Sequence, residues 1–363
     1  MRKKVIIVGG GIVGCMAAMA LVKRDCDVTI VERNQIASQT SGEASWAGGG
    51  ILFPLLPWMY SNEVNALTIN SANAYQMLCQ QLLQDTGVDA HFEQSGFLLL
   101  PEFNAKVALA WCQHNHVAIQ PVKASSFGVQ SLSGEDAFWL PTICQIRPPY
   151  LMQAMRQWLL QNKVTLLEHT ELMPLKQVAV LNEWKTLNGE KLTADQFLVT
   201  SGAWSFSLLK DTSTQLNIKP MRGQILLYKP QKNLEQMVYK EGFYMIPRRD
   251  GYLLAGSTLE DVGFDPAVTK AVRDELSAKA EIIMPALINQ PIIKHWSGLR
   301  PGTPDNLPII SAHSTIENLY LNTGHFRYGL TMAPASAQLA VAIMFAEKPL
   351  INAAPYGYLA QAS

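Results

Sequence analysis

The sequence predicts an α/β fold in which a domain built on a parallel sheet is interleaved with a second, α+β domain built on an antiparallel sheet. Three observations predict this arrangement. The first 40 residues read as strand, helix and strand, the region from about 220 to 260 is rich in short strands, and a strand and a helix follow from residue 319 onwards. Elements of the first kind therefore flank elements of the second kind along the chain.

The N-terminal unit has the clearest pattern. Residues 5–8 form a short apolar run, residues 12–22 an apolar stretch rich in Ala, Met and Leu, and residues 28–31 a β-branched run. Such runs are typical of a buried strand, a buried helix and a second strand. We expect the two strands to be parallel and joined by a right-handed crossover.

The remaining elements follow from periodicity and from turn residues. Helices are predicted over 65–86, 104–114, 149–161, 269–283 and 333–346, and strands over 97–100, 164–167, 197–200, 224–228, 243–246, 252–255 and 319–322. Residues 37–62 are predicted to form a loop that passes close to a ligand, because they carry small residues, three successive glycines and an apolar run at 51–60 broken by two prolines. The first domain is assigned to residues 1–80, 145–215 and 296–363, and the second to 81–144 and 216–295.

Composition excludes several classes of protein. Lys plus Arg equals Asp plus Glu at 29 each, which gives no general attraction to nucleic acid or to an anionic membrane. The five cysteines are odd in number and lack CxxC spacing, which argues against a disulfide framework or a zinc site and favours a reducing cytoplasm. No apolar run reaches the ~20 residues that span a bilayer. We expect a cytoplasmic protein without a transmembrane segment, able at most to touch a membrane peripherally, and a homo-oligomer is compatible with the sequence.

The glycines after the first predicted strand suggest a dinucleotide site. Gly9, Gly11 and Gly14 give the spacing G-x-G-x-x-G between a strand and a helix. In this motif the first glycine makes the tight turn, the second lets the backbone approach a pyrophosphate and the third lets helix and strand pack closely. Glu32 ends the second strand, where a carboxylate can accept hydrogen bonds from a ribose diol. The alternative, a glycine-rich turn in another α/β protein, leaves the strand, helix and acid unexplained.

The motif does not by itself separate NAD from FAD. Its N-terminal position, the loops at Thr40-Ser41 and at 48–50, and a second glycine-containing segment at 324–329 favour a long, deeply buried cofactor. That pattern predicts FAD, and hence a Rossmann-type FAD-binding domain.

Two C-terminal segments carry a resemblance to a known family. Residues 298–305 read Gly-Leu-Arg-Pro-Gly-Thr-Pro-Asp and residues 324–329 read Gly-His-Phe-Arg-Tyr-Gly. With the supporting segments 88–100, 201–205 and 244–248, they make the chain resemble the D-amino-acid oxidase family of flavoproteins over nearly its whole length, most closely the glycine oxidase branch.

The resemblance implies roles for individual residues. Arg300 matches the arginine that binds the substrate carboxylate, Tyr244 matches an active-site tyrosine that helps to hold the same group, and Arg327 lies beside the flavin and faces the substrate. The residues expected to contact FAD are Gly9, Gly11, Ile12, Val13, Gly14, Glu32, Arg33, Gln39, Thr40, Gly49, Gly50, Ile51, Leu172, His325, Phe326, Arg327, Tyr328, Gly329, Leu330 and Thr331.

Other roles are open for the three catalytic candidates from the residues alone. Arg300 beside Pro301 also suits a surface ion pair, Arg327 a purely structural contact, and Tyr244 the half-buried packing common for strand tyrosines.

The activity implied by the resemblance is oxidative deamination of glycine or a small D-amino acid. Hydride transfer from Cα to flavin N5 gives an imine, which hydrolyses to a 2-oxo acid and ammonia, and oxygen reoxidises the flavin to give hydrogen peroxide. The branch is also linked to making the thiazole of thiamine.

Two alternatives remain. In the first, a dehydrogenase passes the electrons to a membrane quinone. It is favoured by the apolar 51–60 run, because exposed apolar loops mark contact surfaces. The stretch 45–58 is longer and more apolar than is usual in this branch, which leaves the pocket size and the electron acceptor open. The second alternative, a flavin-binding protein without turnover, is disfavoured by the presence of both Arg300 and Tyr244.

Overall fold

The computed structural model describes residues 2–100, 102–129, 136–214 and 216–358. Parts of the predicted domain ranges, at 1, 101, 130–135, 215 and 359–363, therefore lie outside the described residues. Within them the helices are, in chain order, α1 (Ile12–Val22), α2 (Ala44–Ala47), α3 (Asn62–Thr68), α4 (Ser71–Thr86), α5 (Ala105–His114), α6 (Pro148–Gln161), α7 (Ser205–Leu209), α8 (Lys270–Ile283) and α9 (Gly329–Met344).

The strands of the same ranges belong to two large sheets and two small ribbons. In chain order they are β1 (Lys4–Val8), β2 (Asp27–Val31), β3 (Glu93–Gln94), β4 (Phe97–Leu99), β5 (Gln120–Lys123), β6 (Asp136–Leu140), β7 (Cys144–Gln145), β8 (Thr165–Leu167), β9 (Trp184–Lys185), β10 (Lys191–Leu192), β11 (Gln196–Val199), β12 (Lys219–Tyr228), β13 (Met237–Lys240), β14 (Phe243–Pro247), β15 (Leu253–Gly256), β16 (Lys294–Gly302), β17 (Ile309–Ala312) and β18 (Leu319–Thr323).

The first large sheet has the strand order β17-β18-β11-β1-β2-β8 among the described residues. β1 pairs in parallel with β2 and β11, the parallel run continues to β8 and β18, and only β17 is antiparallel. Helix α1 packs between this sheet and α9, so nine of its eleven residues are buried. This burial explains why α1 is apolar on every side rather than on one stripe. The predicted parallel pairing of the first two strands is confirmed.

The second large sheet has the order β16-β12-β15-β14-β13-β4-β6-β5 in the described chain. Its pairs are antiparallel except for β13 with β4. The α/β class with an antiparallel second sheet is therefore confirmed. The predicted domain division remains a prediction, and β16 runs across the boundary placed at residue 296.

Strand β12 is five residues longer than the predicted strand at 224–228, because β16 pairs with it from Lys219 opposite Gly302 to Leu227 opposite Lys294. No strand was predicted for β16, whose two glycines and a proline are poor strand formers. Pairing across the sheet outweighs this local preference.

The single helix predicted over 65–86 is wrong. The chain forms α3 and α4 instead, with Asn70 preceding the first turn of α4. The hydroxyl of Thr68 bonds to the carbonyl oxygens of Val64 and Asn65, and such back-bonding bends a helix. Both helices pack against α9, and this packing stabilises the broken arrangement.

The apolar run 51–60 is a loop, as predicted, with one helical turn at Pro57–Met59. It is not an exposed apolar surface, since within it only Met59 is classed as exposed. Trp58 packs against Phe103 and Trp111 at ring-centroid distances of 5.1 and 6.4 Å. The observation that favoured contact with a membrane is therefore removed. Among the described helices, none combines the length and apolarity needed to cross a bilayer.

Candidate active site

One cavity of about 370 Å³ lies where the two large sheets meet. The turn at 9–11, the loop at 43–53, the segment 325–331 and single residues of the second sheet all line it. The volume falls in the range of small-molecule sites.

Two positions of the glycine turn, Gly9 and Gly14, have no room for a side chain. Gly9 has φ +111°, and a β-carbon there would lie 2.8 Å from the backbone carbonyl of Thr200. A β-carbon on Gly14 would lie 2.0 Å from the carbonyl oxygen of Gly9. The turn therefore sits tightly between β1, β11 and α1. Gly11, at the start of α1, leaves its backbone open to the cavity.

Glu32 follows β2 directly and lines the same cavity. Its two carboxylate oxygens accept hydrogen bonds from the amides of Gly10, at 2.8 Å, and Asn34, at 2.9 Å. Each oxygen has a second lone pair, so the carboxylate can still accept from a diol. The Arg33 guanidinium stacks on the Trp204 ring at 3.9 Å, and Leu172 completes this side of the cavity.

The glycine loop at 48–50 is held by a buried arginine. Arg248 donates to the carbonyl oxygens of Gly49, at 2.6 Å, and Ile146, at 3.0 Å, and to Gln145 Oε1 at 2.7 Å. Burial, reinforced by nearby Arg147, lowers the pKa of Arg248 to about 9. Gly50 has φ +80°, and a β-carbon there would lie 2.0 Å from the Ile146 oxygen.

Residues 325–331, which the family resemblance places beside the flavin, form a short turn, Phe326–Tyr328, and then the first turn of α9. Helix α9 therefore begins at Gly329, four residues before the predicted start at 333. Its positive N-terminal end borders the cavity and favours negative charge there. Burial lowers the pKa of His325 to about 3, so this side chain is neutral at physiological pH and cannot serve as an imidazolium donor.

Arg300 on β16 and Tyr244 on β14 meet at the cavity wall. Tyr244 lies beside Arg300, and its phenol group offsets part of the lowering of the Arg300 pKa that burial causes. A guanidinium can only donate hydrogen bonds, whereas a phenol oxygen can accept one while its O–H donates to a third group. The Tyr244 ring is buried, and a β-carbon on Gly49 would lie 3.0 Å from its Cε2.

Within the described chain, the hydrogen-bond partners of the Arg300 side chain are two neutral oxygens, Thr258 O at 3.1 Å and Ser257 Oγ at 2.8 Å. A surface ion pair is thus not the arrangement found.

Arg327 is exposed at the rim of the cavity. Burial lowers the pKa of Arg300, and the nearby charge of Arg327 lowers it further. Both residues line the same cavity. A pair of cations beside a helix N-terminus makes this end of the cavity favourable for a carboxylate.

The cavity gathers nearly all of the residues expected from the sequence. Three do not line it: Gly14 packs against Gly9, the Gln39 amide donates to Ser297 O at 3.2 Å, and Thr40 is exposed. The sequence reasoning missed Ser257, Trp46 and Phe53, which do line it. No local pattern marks these residues, because their place depends on how distant segments meet.

A family model described as FAD dependent oxidoreductase matches residues 4–343. The chain belongs to this DAO family. It is 37% identical to glycine oxidase of Pseudomonas aeruginosa and 35% identical to that of Pseudomonas putida, with 98% of each chain covered in both cases. The crystal structure of glycine oxidase from Geobacillus kaustophilus matches with a TM-score of 0.89 at 24% identity, over 98% of this chain and 99% of that one. At that identity, the structural match supports the fold alone.

Bifunctional ThiO/ThiG proteins are more distant relatives. The Nostoc protein is 28% identical, and the match covers 97% of this chain but 54% of that protein. Together the comparisons show an FAD-dependent oxidoreductase of the glycine oxidase type.

The residues present fit FAD. The turn at Gly9 and Gly11 leaves room for a pyrophosphate at the start of α1, Glu32 is placed for a ribose diol, and the same cavity continues to α9 and Arg300. One cavity lined by all these groups suits a long cofactor that extends from the glycine turn towards Arg300.

Proposed function

We propose that the protein oxidises the amine of glycine or a small D-amino acid, using FAD bound along the cavity. The observation that carries the proposal is that Arg300 and Tyr244 meet at the cavity wall, where the described chain gives Arg300 two neutral acceptors and no carboxylate partner. A guanidinium whose partners within the protein are all neutral is suited to bind an anionic ligand.

Arg300 and Tyr244 orient the substrate. A planar guanidinium grips a carboxylate through two parallel hydrogen bonds, and the Tyr244 O–H adds a third donor. With the carboxylate fixed, Cα is presented in one orientation, which supplies much of the rate enhancement. Arg327 adds positive charge at the rim and draws anionic substrates in.

The walls restrict the substrate side chain. Tyr244 lies in one hydrophobic cluster with Phe53, Trp46 and Leu55, and all four residues line the cavity. Large side chains therefore line the cavity beside the proposed carboxylate site. This lining favours glycine or another amino acid with a short side chain as the substrate.

When bound, FAD would supply the redox chemistry, a two-electron oxidation of the amine with oxygen as the electron acceptor and hydrogen peroxide as the product. The chain needs to provide no strong acid or base for this step, which agrees with a neutral, buried His325. The imine product hydrolyses to a 2-oxo acid and ammonia.

Oxygen is favoured over a membrane quinone as the acceptor because the apolar 51–60 run packs into the protein rather than facing outwards. The five free cysteines suit a reducing compartment, and we place the enzyme in the cytoplasm. The similarity to ThiO/ThiG proteins supports a further proposal, that the imine serves in making the thiamine thiazole.

An aerobic assay tests the activity and the acceptor together. The FAD-loaded protein is given glycine or D-alanine, and oxygen uptake, peroxide and ammonia are measured. Equal amounts of peroxide and ammonia support the proposal. Turnover that requires an added quinone analogue and consumes no oxygen overturns the oxidase assignment.

A further inference from the structure

We propose that Gly223 and Ser257 are positioning residues that set the place and the rotation of the Arg300 guanidinium. The inference rests on the proposed function, in which Arg300 binds the substrate carboxylate. Neither residue is distinguished by the sequence motifs, and each contacts Arg300 from a different strand or loop.

Gly223 provides the surface on which the guanidinium lies. It faces Gly298 across the β12–β16 pair, while Arg300 faces Met221, so Gly223 lies on the same face of the sheet two residues along. A β-carbon on Gly223 would stand 2.1 Å from Nη1 and 2.4 Å from both Cζ and Nη2 of Arg300. These distances show that the outer end of the guanidinium occupies the space that any side chain at position 223 would need.

Ser257 and the next residue fix the rotation of the group about its long axis. Nη2 donates to Ser257 Oγ at 2.8 Å and Nη1 donates to the carbonyl oxygen of Thr258 at 3.1 Å. A guanidinium has five N–H donors, so donors remain for a carboxylate. Ser257 itself lines the cavity.

The segment that carries these two acceptors is itself held firmly. The Thr258 hydroxyl accepts from the backbone N–H of Gln224 at 2.9 Å and donates to Glu260 Oε1 at 2.5 Å. Glu260 in turn pairs with Arg222 at 2.8 Å, and Arg222 is 4% exposed. The two acceptors that orient Arg300 therefore belong to a segment that is held in place by several hydrogen bonds.

Ser257 is tested by Ser257→Ala and Ser257→Thr, with Ser277→Ala as the matched control. Ser277 on α8 bonds to the Tyr228 hydroxyl behind the same sheet. Four quantities are measured: KM, kcat, the FAD dissociation constant, and the acetate concentration that half-perturbs the flavin spectrum. Acetate carries the carboxylate without the amine.

For Ser257→Ala we expect KM and the acetate midpoint to rise about tenfold, since one hydrogen bond that aims the guanidinium is lost. kcat and FAD affinity should stay near wild type. Ser257→Thr keeps the hydroxyl, so its KM and its acetate midpoint should stay close to those of the wild type.

Gly223→Ala should be more severe. The added methyl pushes the guanidinium off its place, and a shift of about 1 Å costs roughly 100-fold in kcat/KM. FAD binding should persist, because Gly223 does not line the cofactor cavity.

The inference is overturned if Ser257→Ala keeps wild-type KM and acetate binding, or if Ser277→Ala raises KM as much as Ser257→Ala does. Failure of the proposed function looks different: Arg300→Ala would then bind acetate as well as the wild type, whatever the Ser257 variants do.

Discussion

Arg248 Nη2 donates a hydrogen bond of 2.6 Å to the carbonyl oxygen of Gly49, and so joins the antiparallel sheet to the glycine loop of the cofactor cavity. Arg248 is almost completely buried, and its three acceptors are neutral oxygens. The charge is therefore kept inside the protein to hold a loop rather than to neutralise an acid.

Arg248→Met should weaken FAD binding more than it weakens the fold. The shift of the Arg248 pKa from 12.5 to about 9 corresponds to roughly 5 kcal/mol of burial cost, which methionine avoids. Against this, three oxygens lose a donor, at about 1–3 kcal/mol each. The two effects nearly cancel in stability. The loop loses its anchor, so we expect the FAD dissociation constant to rise at least about tenfold with little change in the urea midpoint. Unchanged FAD affinity would contradict this role.

Gly14→Ala should abolish FAD binding or folding. Its β-carbon would lie 2.0 Å from the Gly9 oxygen, a backbone clash that no rotamer relieves. Gly189→Ala is the matched control. Gly189 has φ +85° but open space around it, so we expect a loss of only about 1 kcal/mol. Flavin content after purification and thermal unfolding measure both effects, and similar losses in the two variants would argue against tight packing of the turn.

Tyr244→Phe removes the hydroxyl but keeps the ring packed beside Gly49. We expect KM for glycine to rise roughly 10- to 100-fold, as for the loss of one hydrogen bond to a charged group. FAD affinity should not change. Tyr244→Ala also removes the ring from the cavity wall, so it should in addition admit substrates with longer side chains. Steady-state kinetics with glycine and D-norvaline separate the two variants, and equal KM values for wild type and Tyr244→Phe would leave the tyrosine as packing alone.

Glu260 should contribute acid-sensitive stability. Burial alone raises the pKa of Glu260, but hydrogen bonds from Arg222, Thr258 and Gln224 outweigh it and lower the pKa below 4.5. A carboxyl with a lowered pKa stabilises the fold above its unfolded pKa, and this contribution is lost as pH falls through the folded value. Glu260→Gln should thus cost about 3 kcal/mol at pH 7 and progressively less below pH 4.5.

Urea unfolding from pH 7 to pH 3 checks this expectation. Glu275→Gln serves as the control, because its pair with Lys279 lies on the surface of α8 and is worth at most about 0.5 kcal/mol. A cost for Glu260→Gln that is independent of pH would show that the carboxylate charge is not what stabilises the loop.

The N-terminal unit could be predicted from the sequence because its signals are local. The spacing of Gly9, Gly11 and Gly14, the apolar α1 and the acid after β2 all lie within 30 residues, and the structure places each as expected. The gathering of Arg300, Tyr244 and Arg327 around one cavity was expected only through family resemblance. Their side chains come from separate elements whose meeting no local pattern encodes.

The parts that were not predicted depend on contacts between distant segments. Strand β16 reads poorly as a strand, yet it pairs along nine residues with β12. In the sequence, Gly223 looks like an ordinary strand glycine. Only the structure shows that the Arg300 guanidinium occupies the space beside it. The break between α3 and α4 follows from Thr68 and from packing on α9, whereas local periodicity favours one continuous helix.

The most direct test of the central claim is anaerobic mixing of the FAD-loaded protein with glycine, sarcosine, D-alanine, D-proline and L-alanine while flavin absorbance is followed. We predict that glycine or a small D-amino acid bleaches the flavin, and that Arg300→Ala loses this reaction while still binding FAD. If no member of the panel bleaches the wild-type flavin, the protein does not oxidise small amino acids and the account is contradicted.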